Sequence, residues 1–340
     1  MNLTQTLIKP SDKIYVAGHR GMAGSAICRA LSKAGYSNLL TSPRADLNLL
    51  DEAAVKNWFE INKPNVVVVA AAKVGGILAN NNYPANFLLE NLKIQTNIIE
   101  TAWRSGVRRL LILGSSCIYP KFTTQPIKEE SLLTGALEKT NEGYAIAKIA
   151  GLKLCQALRK QHGFDTISLM PPNLYGPGDN YHPSNSHVIA ALLKRFYEAH
   201  QNNTPSVTCW GSGTPRREFL HVDDLAAAAV FCLENWDPSR IGTPKDQSGE
   251  QLNYLNVGSG SDITIKELAE LIAEKISFKG LINWDISKPE GTPQKLLDSS
   301  KLKSLGWEAK ISTDNGITTT IKNYQKESRT SKYQNIFMES

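Results

Sequence analysis

Over its first 175 residues the chain alternates short apolar runs with segments of helical periodicity, and this alternation restricts the fold more than any other feature. The run at 66–70 is β-branched and unbroken, which is typical of a parallel strand buried on both faces. Repeated strand–helix–strand units predict an α/β fold with a Rossmann-like, doubly wound parallel sheet. The predicted strands are 13–17, 38–41, 66–70, 108–115 and 166–170, and the predicted helices are 22–34, 51–61, 84–105 and 144–161.

Beyond Pro177 the alternation weakens. Helices are predicted at 186–199, 222–234, 264–276 and 313–326, and strands at 207–210 and 252–257. Because 340 residues is about twice the usual length of one domain, we expect two unequal domains. They comprise residues 1–175, with parts of about 210–235 returning to them, and a smaller, partly interleaved α/β domain at 176–330, followed by a flexible tail at 331–340.

The composition argues against several classes of protein. The 38 basic and 32 acidic residues give a formal charge of +6, but they are scattered, whereas a nucleic-acid-binding protein usually carries a basic stripe or tail. The longest apolar run, 66–72, is too short to span a bilayer, and the first twelve residues lack the apolar block of a secretory signal. The five cysteines form no CxxC pair, so we expect no disulfide framework and no metal site. A reducing, cytoplasmic location fits best, with neither nucleic acid nor membrane as a partner.

A glycine-rich turn lies between the first predicted strand and the first predicted helix. Its GxxGxxG spacing differs by one residue from the usual GxGxxG, and taken alone a tight turn without a ligand would also account for it. At this position the glycines let the backbone approach a pyrophosphate, and the helix N-terminus favours the anion. We therefore expect residues 1–175 to bind a dinucleotide. The expected contacts in the turn are Gly18, His19, Arg20, Gly21, Met22, Ala23 and Gly24.

The end of the second predicted strand indicates which dinucleotide binds. An NAD site usually places Asp or Glu there to bind the ribose diol, whereas this chain reads LTSPR at 40–44. Arg44, together with Arg20, suits a 2′-phosphate, although both could also be solvated surface residues. NADP(H) is therefore the predicted cofactor.

Tyr144 and Lys148 are four residues apart, on one face of a predicted helix. A nearby ammonium and an oxidised nicotinamide lower the pKa of a phenol, which can then exchange a proton with a carbonyl or carbinol oxygen. Such pairs are also common on ordinary surface helices, but this one follows the strand end at Ser115, where a ligand crevice is expected. Ser115 is placed to donate to the same oxygen. With the glycine turn, these residues resemble the extended short-chain dehydrogenase/reductase superfamily.

Two further residues suggest acid–base chemistry. Cys117 lies on the loop that leaves the same strand, and a thiolate acts as a base when a neighbouring cation stabilises it. His187 begins a predicted helix after the turn-rich segment 176–186. A buried structural thiol and a solvent-facing or capping histidine are the commoner roles of such residues, and the local pattern leaves both open.

Seven segments between about residues 13 and 326 give a closer resemblance, to the GDP-L-fucose synthase family of 3,5-epimerase-4-reductases. SSCIYP and HPSNSHV are more specific than the superfamily motifs. The segments are GHRGMAGSAI, AAAKVGGI, LGSSCIYP, YAIAKIAG, NLYGPGDNYHPSNSHVIAALLKRF, WGSGTPRREFLHVDDLA and KPEGTPQKLLD.

The resemblance implies a role for each matching residue. Tyr144 would protonate the C4 oxygen, Lys148 would orient cofactor and phenol, and Ser115 would polarise the 4-keto group. Cys117 and His187 would be the base and the acid for epimerisation at C3 and C5. The GDP-sugar ligands would be Arg195, Trp210, Arg217, Glu290 and Lys295, and the helices at 84–105 and 144–161 would form a homodimer. Further cofactor contacts are expected at Asp46, Asn48, Leu113, Gly114, Ser115, Ser116, Lys148, Pro171, Asn173, Leu174 and His187.

Four positions depart from the family pattern. Pro172 replaces a threonine beside the expected nicotinamide ribose, and Gly143 replaces a proline before Tyr144, which we expect to loosen that loop. Arg216 adds a second candidate phosphate ligand, and Glu290 replaces an aspartate. An alternative is a sugar-nucleotide 4-epimerase or 4,6-dehydratase that keeps NAD bound, but a dehydratase should show an Asp-Glu pair where this chain has Ser116-Cys117. A non-catalytic NADP-binding protein would typically lack Tyr144 or Lys148.

Overall fold

The computed structural model describes residues 6–183, 186–288 and 291–329. Strands and helices alternate in its first half, as the apolar pattern predicts. The strands are β1 (Ile14–Ala17), β2 (Leu39–Leu40), β3 (Val66–Val69), β4 (Arg109–Leu113) and β5 (Asp165–Met170). The helices are α1 (Met22–Lys33), α2 (Glu52–Asn62), α3 (Ile77–Asn82), α4 (Pro84–Arg104) and α5 (Glu142–His162).

The second half contains shorter strands between its helices. The strands are β6 (Asn173–Tyr175), β7 (Ser206–Trp210), β8 (Arg216–His221), β9 (Tyr254–Asn256), β10 (Asp262–Thr264), β11 (Leu281–Asp285) and β12 (Gln294–Lys295). The helices are α6 (Val188–Gln201), α7 (Val222–Asn235), α8 (Ile265–Ile276), α9 (Ser300–Ser304) and α10 (Thr313–Arg329). Within the described ranges, no helix combines the length and the apolar character needed to cross a membrane.

The main sheet is parallel and has the strand order β2-β1-β3-β4-β5-β9. β1 pairs with β2 on one side and with β3 on the other, so the winding reverses between β1 and β3. In such sheets ligands bind outside the carboxyl ends of the strands at the reversal. The predicted doubly wound α/β fold is confirmed.

Alternate residues of the central strands enter two different cores, because successive side chains of a strand point to opposite faces. Val66 and Val68 pack with α1 and α7 on one face, and Val67 and Val69 pack with α2, α4 and α5 on the other. All four valines are fully buried, which explains the unbroken β-branched run in the sequence.

A third core lies in the second half, where α6, α8 and α10 pack together with β7 and Phe219. The chain nevertheless returns to the main sheet after residue 175. α7 follows β8 directly and packs against α1, and β9 pairs with β5 at the edge of the sheet. The domain boundaries themselves stay a prediction.

The structure adds elements that the sequence pattern does not predict. Each of these elements has two to six residues, which is too short for a hydrophobic periodicity to be recognised. The strand β8 is also not predicted because it begins with charged residues. The predicted strand at 252–257, which we assigned to the second domain, forms β9 of the main sheet. The unpredicted elements are α3, α9, β6, β8, β10, β11 and β12. The predicted tail at 331–340 lies outside the described residues.

Candidate active site

The glycine turn after β1 packs so tightly against the neighbouring backbone that Gly18 and Gly24 have no room for a side chain. Gly18 has a φ of +84°, and a Cβ there would lie 2.8 Å from the backbone of Ala71, which follows β3. Gly21 donates its N–H to the Gly18 carbonyl at 3.0 Å, and a Cβ on Gly24 would collide with that carbonyl. α1 begins at Met22 with neither an acidic residue in its first turn nor a capping side chain. Its free N–H groups therefore face the reversal between β1 and β3, as a pyrophosphate site requires.

The other predicted residues of the turn differ in exposure. Met22 and Ala23 are half-buried against the first core, whereas Arg20 is exposed. Burial and the Arg20 charge lower the pKa of His19, so its imidazole is neutral at pH 7. The turn thus places one exposed cation, Arg20, beside a tightly packed backbone.

The segment after β2 carries Arg44, Asp46 and Asn48, all exposed. The Asp46 N–H donates to the Pro43 carbonyl at 3.0 Å, and the Asn48 side chain accepts from the Leu50 N–H at 3.2 Å. These bonds hold a tight turn that presents Arg44 outward. Arg44 also lies near enough to Glu90 to contribute to the lowered pKa of that carboxyl, although Lys73 is the main cause.

Lys73 is a charged residue of this region that the sequence reasoning missed. It follows β3, and its backbone N–H and C=O both bond to the Asn91 side chain at 3.0 Å. Its ammonium pairs with Glu90 at 2.5 Å. The AAAKVGGI segment contained the signal, because it places this lysine at a strand end beside the glycine turn.

The carboxyl ends of β4 and β5 are joined side by side. The Gly114 N–H donates to the Leu169 carbonyl, and the Ser116 N–H donates to the Pro171 carbonyl, both at 2.9 Å. A Cβ on Gly114 would collide with the Met170 sulfur. The predicted cofactor residues Leu113, Gly114, Ser116 and Pro171 therefore lie along one edge. Further on, the Asn173 side chain donates to the Glu218 carbonyl at 3.2 Å, and Leu174 packs against the first core.

Ser115 and Tyr144 meet at this edge, with their hydroxyl groups close enough to interact. Burial and the neighbouring Cys117 raise the pKa of the Tyr144 phenol, and the interaction with Ser115 lowers it in part. The lowered pKa expected from the sequence requires an oxidised nicotinamide beside the phenol, and in the cofactor-free protein desolvation dominates instead. The phenol therefore keeps its proton at pH 7 and can donate it.

Lys148 lies one helical turn further along α5 and is buried. Its ammonium donates to the Leu113 carbonyl at 2.8 Å and lies 5.8 Å from the centre of the Tyr144 ring. Burial lowers the pKa of Lys148 from 10.5 to about 8. The site thus holds a cation that is costly to bury and readily loses its proton.

Replacing Lys148 should stabilise the apoprotein at neutral pH. The unfolded chain binds the Lys148 proton more tightly than the folded protein does. Below pH 8 the buried ammonium therefore lowers the free energy of unfolding by about 3 kcal/mol, and its hydrogen bond to Leu113 offsets about 1 kcal/mol of this. We expect Lys148→Met to raise the melting temperature at pH 7, and the gain to shrink as the pH rises through 8 towards 10.5. Thermal unfolding at pH 7 and pH 10 measures this, with the exposed Lys153→Met as the control. An unchanged or lower melting temperature at pH 7 would contradict it.

Cys117 lies in a short 3₁₀ turn, Ser116–Ile118, directly after β4. Its backbone N–H donates to the Ser115 hydroxyl at 3.2 Å. Its Sγ accepts from the Asn141 amide at 3.3 Å and lies 3.8 Å from the Lys295 ammonium. The other four cysteines are also free thiols, and burial raises the pKa of each: Cys28, Cys155, Cys209 and Cys232.

His187 occupies the position before α6, and its side chain makes no capping hydrogen bond. The start of α6 is pressed against the loop after β3, since a Cβ on Gly76 would lie 2.8 Å from the Ser186 carbonyl. Burial lowers the pKa of His187, which favours the neutral imidazole. His187 must therefore take up a proton before it can serve as the acid that the sequence assigns to it.

Exposed Trp210 and half-buried Arg195 form a cluster on the second half. The indole is 42 % exposed, and the Arg195 guanidinium lies 5.3 Å from its ring centre. Lys288, which the sequence reasoning missed, places its ammonium 5.9 Å from the same ring. An exposed aromatic ring with two cations near it is suited to a planar base and its phosphates rather than to a core.

Arg217 and Lys295 are direct partners in the parallel pairing of β8 with β12. Parallel partners project to the same face, so two cations stand side by side there. Arg216 projects away from them and pairs with Asp262 at 2.9 Å, which argues against it as a second phosphate ligand. Glu290 lies outside the described residues.

The two remaining departures from the family pattern have simple structural settings. Gly143 lies in the first turn of α5 rather than in a loop, and a Cβ there would lie 3.0 Å from the Pro84 carbonyl. The expectation that it loosens a loop is therefore wrong, because it lets α5 start close to α4. Pro172 is buried between β5 and β6.

Three comparisons with known proteins agree with this geometry. Residues 14–243 match the NAD dependent epimerase/dehydratase family. The chain is 56 % identical to GDP-L-fucose synthase 1 of Arabidopsis thaliana over 93 % of its length and 94 % of the relative's. It is 53 % identical to GDP-L-fucose synthase of Escherichia coli K12 over 91 % and 95 %.

A solved structure is similar over nearly the whole chain. It is a GDP-mannoheptose C4 reductase from Campylobacter jejuni with NADP bound, 35 % identical, with a TM-score of 0.84 and coverage of 94 % and 99 %. The resemblance inferred from the motifs is thereby confirmed. This chain belongs to the NAD dependent epimerase/dehydratase family and, within it, to the GDP-L-fucose synthases.

Proposed function

We propose that this protein converts GDP-4-keto-6-deoxy-D-mannose to GDP-L-fucose by epimerising C3 and C5 and then reducing C4 with NADPH. One observation supports this proposal most strongly. Cys117 lies beside Ser115 and Tyr144, close enough to influence the phenol. A plain C4 reductase has no need of a thiol at this point, whereas an epimerase needs a base next to the carbonyl.

The epimerisation uses the acidity that the 4-keto group gives to the C3 and C5 protons. The Cys117 thiolate takes the proton, an S–H bond forms, and the electron pair of the C–H bond moves towards the C4 oxygen. Ser115 and Tyr144 hydrogen-bond to that oxygen as charge builds on it. Protonated His187 returns a proton to the opposite face, which inverts the carbon.

The reduction comes after the epimerisation, because it removes the ketone that makes those protons labile. NADPH, when bound, supplies the hydride to C4. Tyr144 donates its proton to the C4 oxygen, and Lys148 supports the phenolate that remains. The glycine turn fits the cofactor, since Gly18 and Gly24 pack too closely on the backbone to carry a Cβ and the N-terminus of α1 beside them has no capping side chain, which suits a pyrophosphate. Arg195, Trp210, Arg217 and Lys295 are the proposed ligands of the GDP moiety, together with Glu290.

The assay is direct. With GDP-4-keto-6-deoxy-D-mannose, the protein should oxidise NADPH, seen as falling absorbance at 340 nm, and the product should be GDP-L-fucose. GDP-D-rhamnose as the product would mean reduction without epimerisation and would contradict the bifunctional proposal. No oxidation of NADPH with this substrate would contradict the proposal altogether.

NADPH rather than NADH is proposed as the cofactor because no acidic residue ends β2 and Arg44 is exposed after it. We expect Arg44→Ala to raise the KM for NADPH by about 10-fold or more, since it removes a charged hydrogen bond to the 2′-phosphate, and to change the KM for NADH little. Steady-state kinetics with both cofactors measure this. Lys33→Ala, at the far end of α1, is the control, and equal effects on the two cofactors would refute the 2′-phosphate role.

A homodimer in a reducing, cytoplasmic compartment is also proposed. α4 and α5 pack against each other and expose apolar side chains, including Leu89 at 55 % and Ile146 at 44 %. A second copy would cover this face, and light scattering that gives the mass of a monomer would contradict it. The compartment follows from the chemistry, because oxidised Cys117 cannot accept a proton. Neither nucleic acid nor membrane is a proposed partner.

A further inference from the structure

The sulfur of Cys117 receives two donors from separate parts of the chain. Asn141 reaches it from the start of α5 at 3.3 Å, and Lys295 reaches it from β12 at 3.8 Å. A neutral thiol is a weak acceptor, whereas a thiolate is a strong one. Both contacts therefore suit the charged form of the side chain.

Asn141 contacts the Cys117 sulfur instead of capping the N-terminus of α5. It occupies the position before α5, where asparagine normally accepts a hydrogen bond from the first helical turn, yet its side chain makes no such bond. A missing cap of this kind costs about 1 kcal/mol. In the part of the chain that the structure describes, its Oδ1 is buried and has no partner. The amide is thus oriented towards the sulfur at the expense of the helix.

Lys295 lies at the end of β12 with its ammonium near the Cys117 sulfur. Among residues 6–183, 186–288 and 291–329, no acidic oxygen lies within 4.0 Å of its ammonium. The next residues are fixed by backbone bonds, with the Leu296 N–H to Gln125 at 2.8 Å and the Leu297 N–H to Glu218 at 2.9 Å. The thiol is therefore the polar group of the described chain to which this cation is directed.

We propose that Lys295 and Asn141 are positioning residues that hold Cys117 as a thiolate. Lys295 would then serve the epimerisation in addition to binding the substrate. In the described part of the chain, the charged and titratable groups that face the sulfur are Lys295 from β12, which favours the thiolate, and the Tyr144 phenol from α5, which disfavours it once ionised. The role of the thiolate as a base rests on the proposed function, but its charge state is a property of the free protein.

Alkylation of Cys117 in the protein without substrate or cofactor tests this. The rate with iodoacetamide is followed against pH, and the modified cysteine is identified by peptide mass spectrometry. In Lys295→Met, alkylation at pH 7 should slow by about 10-fold or more, because an opposite charge at this distance strongly favours the thiolate. The pH at half of the plateau rate should rise. Lys295→Arg should restore most of the wild-type profile, and the exposed Lys279→Met should leave it unchanged.

Asn141→Asp separates this role from a structural one. Aspartate caps helices as well as asparagine does, so the melting temperature should not fall. The substitution nevertheless replaces the amide donor beside Cys117 by a negative charge. The pH at which alkylation of Cys117 reaches half of its plateau rate should therefore rise. Wild-type alkylation profiles in both Lys295→Met and Asn141→Asp would overturn the proposal. If these profiles shift but wild-type protein does not process the GDP-sugar, the proposed function fails and the thiolate site stands.

Discussion

Tyr144→Phe is expected to slow the reduction of C4 by about 10²–10⁴-fold while proton exchange at C3 and C5 continues. The substitution removes the proton that the phenol donates, but Cys117 and His187 remain in place. The loss of the polar interaction with Ser115 costs about 1 kcal/mol at most, which is too little to unfold the protein. The absorbance of NADPH at 340 nm reports the reduction, and mass spectrometry of sugar incubated in D₂O reports the exchange.

Tyr175→Phe is the matched control for this variant. It also removes a buried phenolic hydroxyl, but one that has no hydrogen-bond partner in the described part of the chain. We expect both reactions to proceed at the wild-type rate there. If Tyr144→Phe loses exchange as completely as reduction, the phenol is as necessary to the epimerisation as to the reduction, and the proposed division of roles is wrong.

Cys117→Ser should have the opposite effect. A serine hydroxyl has nearly the same shape as the thiol but does not ionise near pH 7, so deuterium incorporation at C3 and C5 should fall by about 10²-fold or more. Reduction should persist, since Ser115, Tyr144 and Lys148 are unchanged. The variant should therefore release GDP-D-rhamnose in place of GDP-L-fucose, which chromatography against both standards distinguishes.

Cys28→Ser is the control for the loss of a thiol. Cys28 is half-buried in α1 and packs against the first core, and burial raises the pKa of its thiol. Its replacement should leave both exchange and reduction intact. Normal exchange in Cys117→Ser would show that another group is the base.

Most of the first half of the fold can be predicted from the sequence because its elements are long or strongly patterned. α4 and α5 end within about two residues of their predicted limits, and β3 is marked by its four valines. β10 and β12 cannot be predicted in this way, because strands of two or three residues have no period. They form only because β8 offers a partner on each side.

Some features of the candidate site can likewise be predicted from local sequence, and others cannot. Ser115, Tyr144 and Lys148 have local motifs, and the fold brings them to one strand edge. The contact of Asn141 with Cys117 is absent from any local pattern, since an asparagine before a helix is expected to cap it. Similarly, the approach of Lys295 depends on the pairing of β12 with β8, which joins residues 78 positions apart. Contacts of this kind depend on tertiary structure alone.

The return of α7 and β9 to the main sheet limits how such a protein can acquire a new sugar preference. Replacing everything after residue 175 would remove α7 and uncover the face of the sheet where Val66 and Val68 lie. A new substrate half therefore requires replacement of both segments 176–215 and 258–298, while 220–257, which contains α7 and β9, is retained. Diversification by exchange of gene segments therefore requires two coordinated replacements, and stepwise substitution at the crevice is the simpler route.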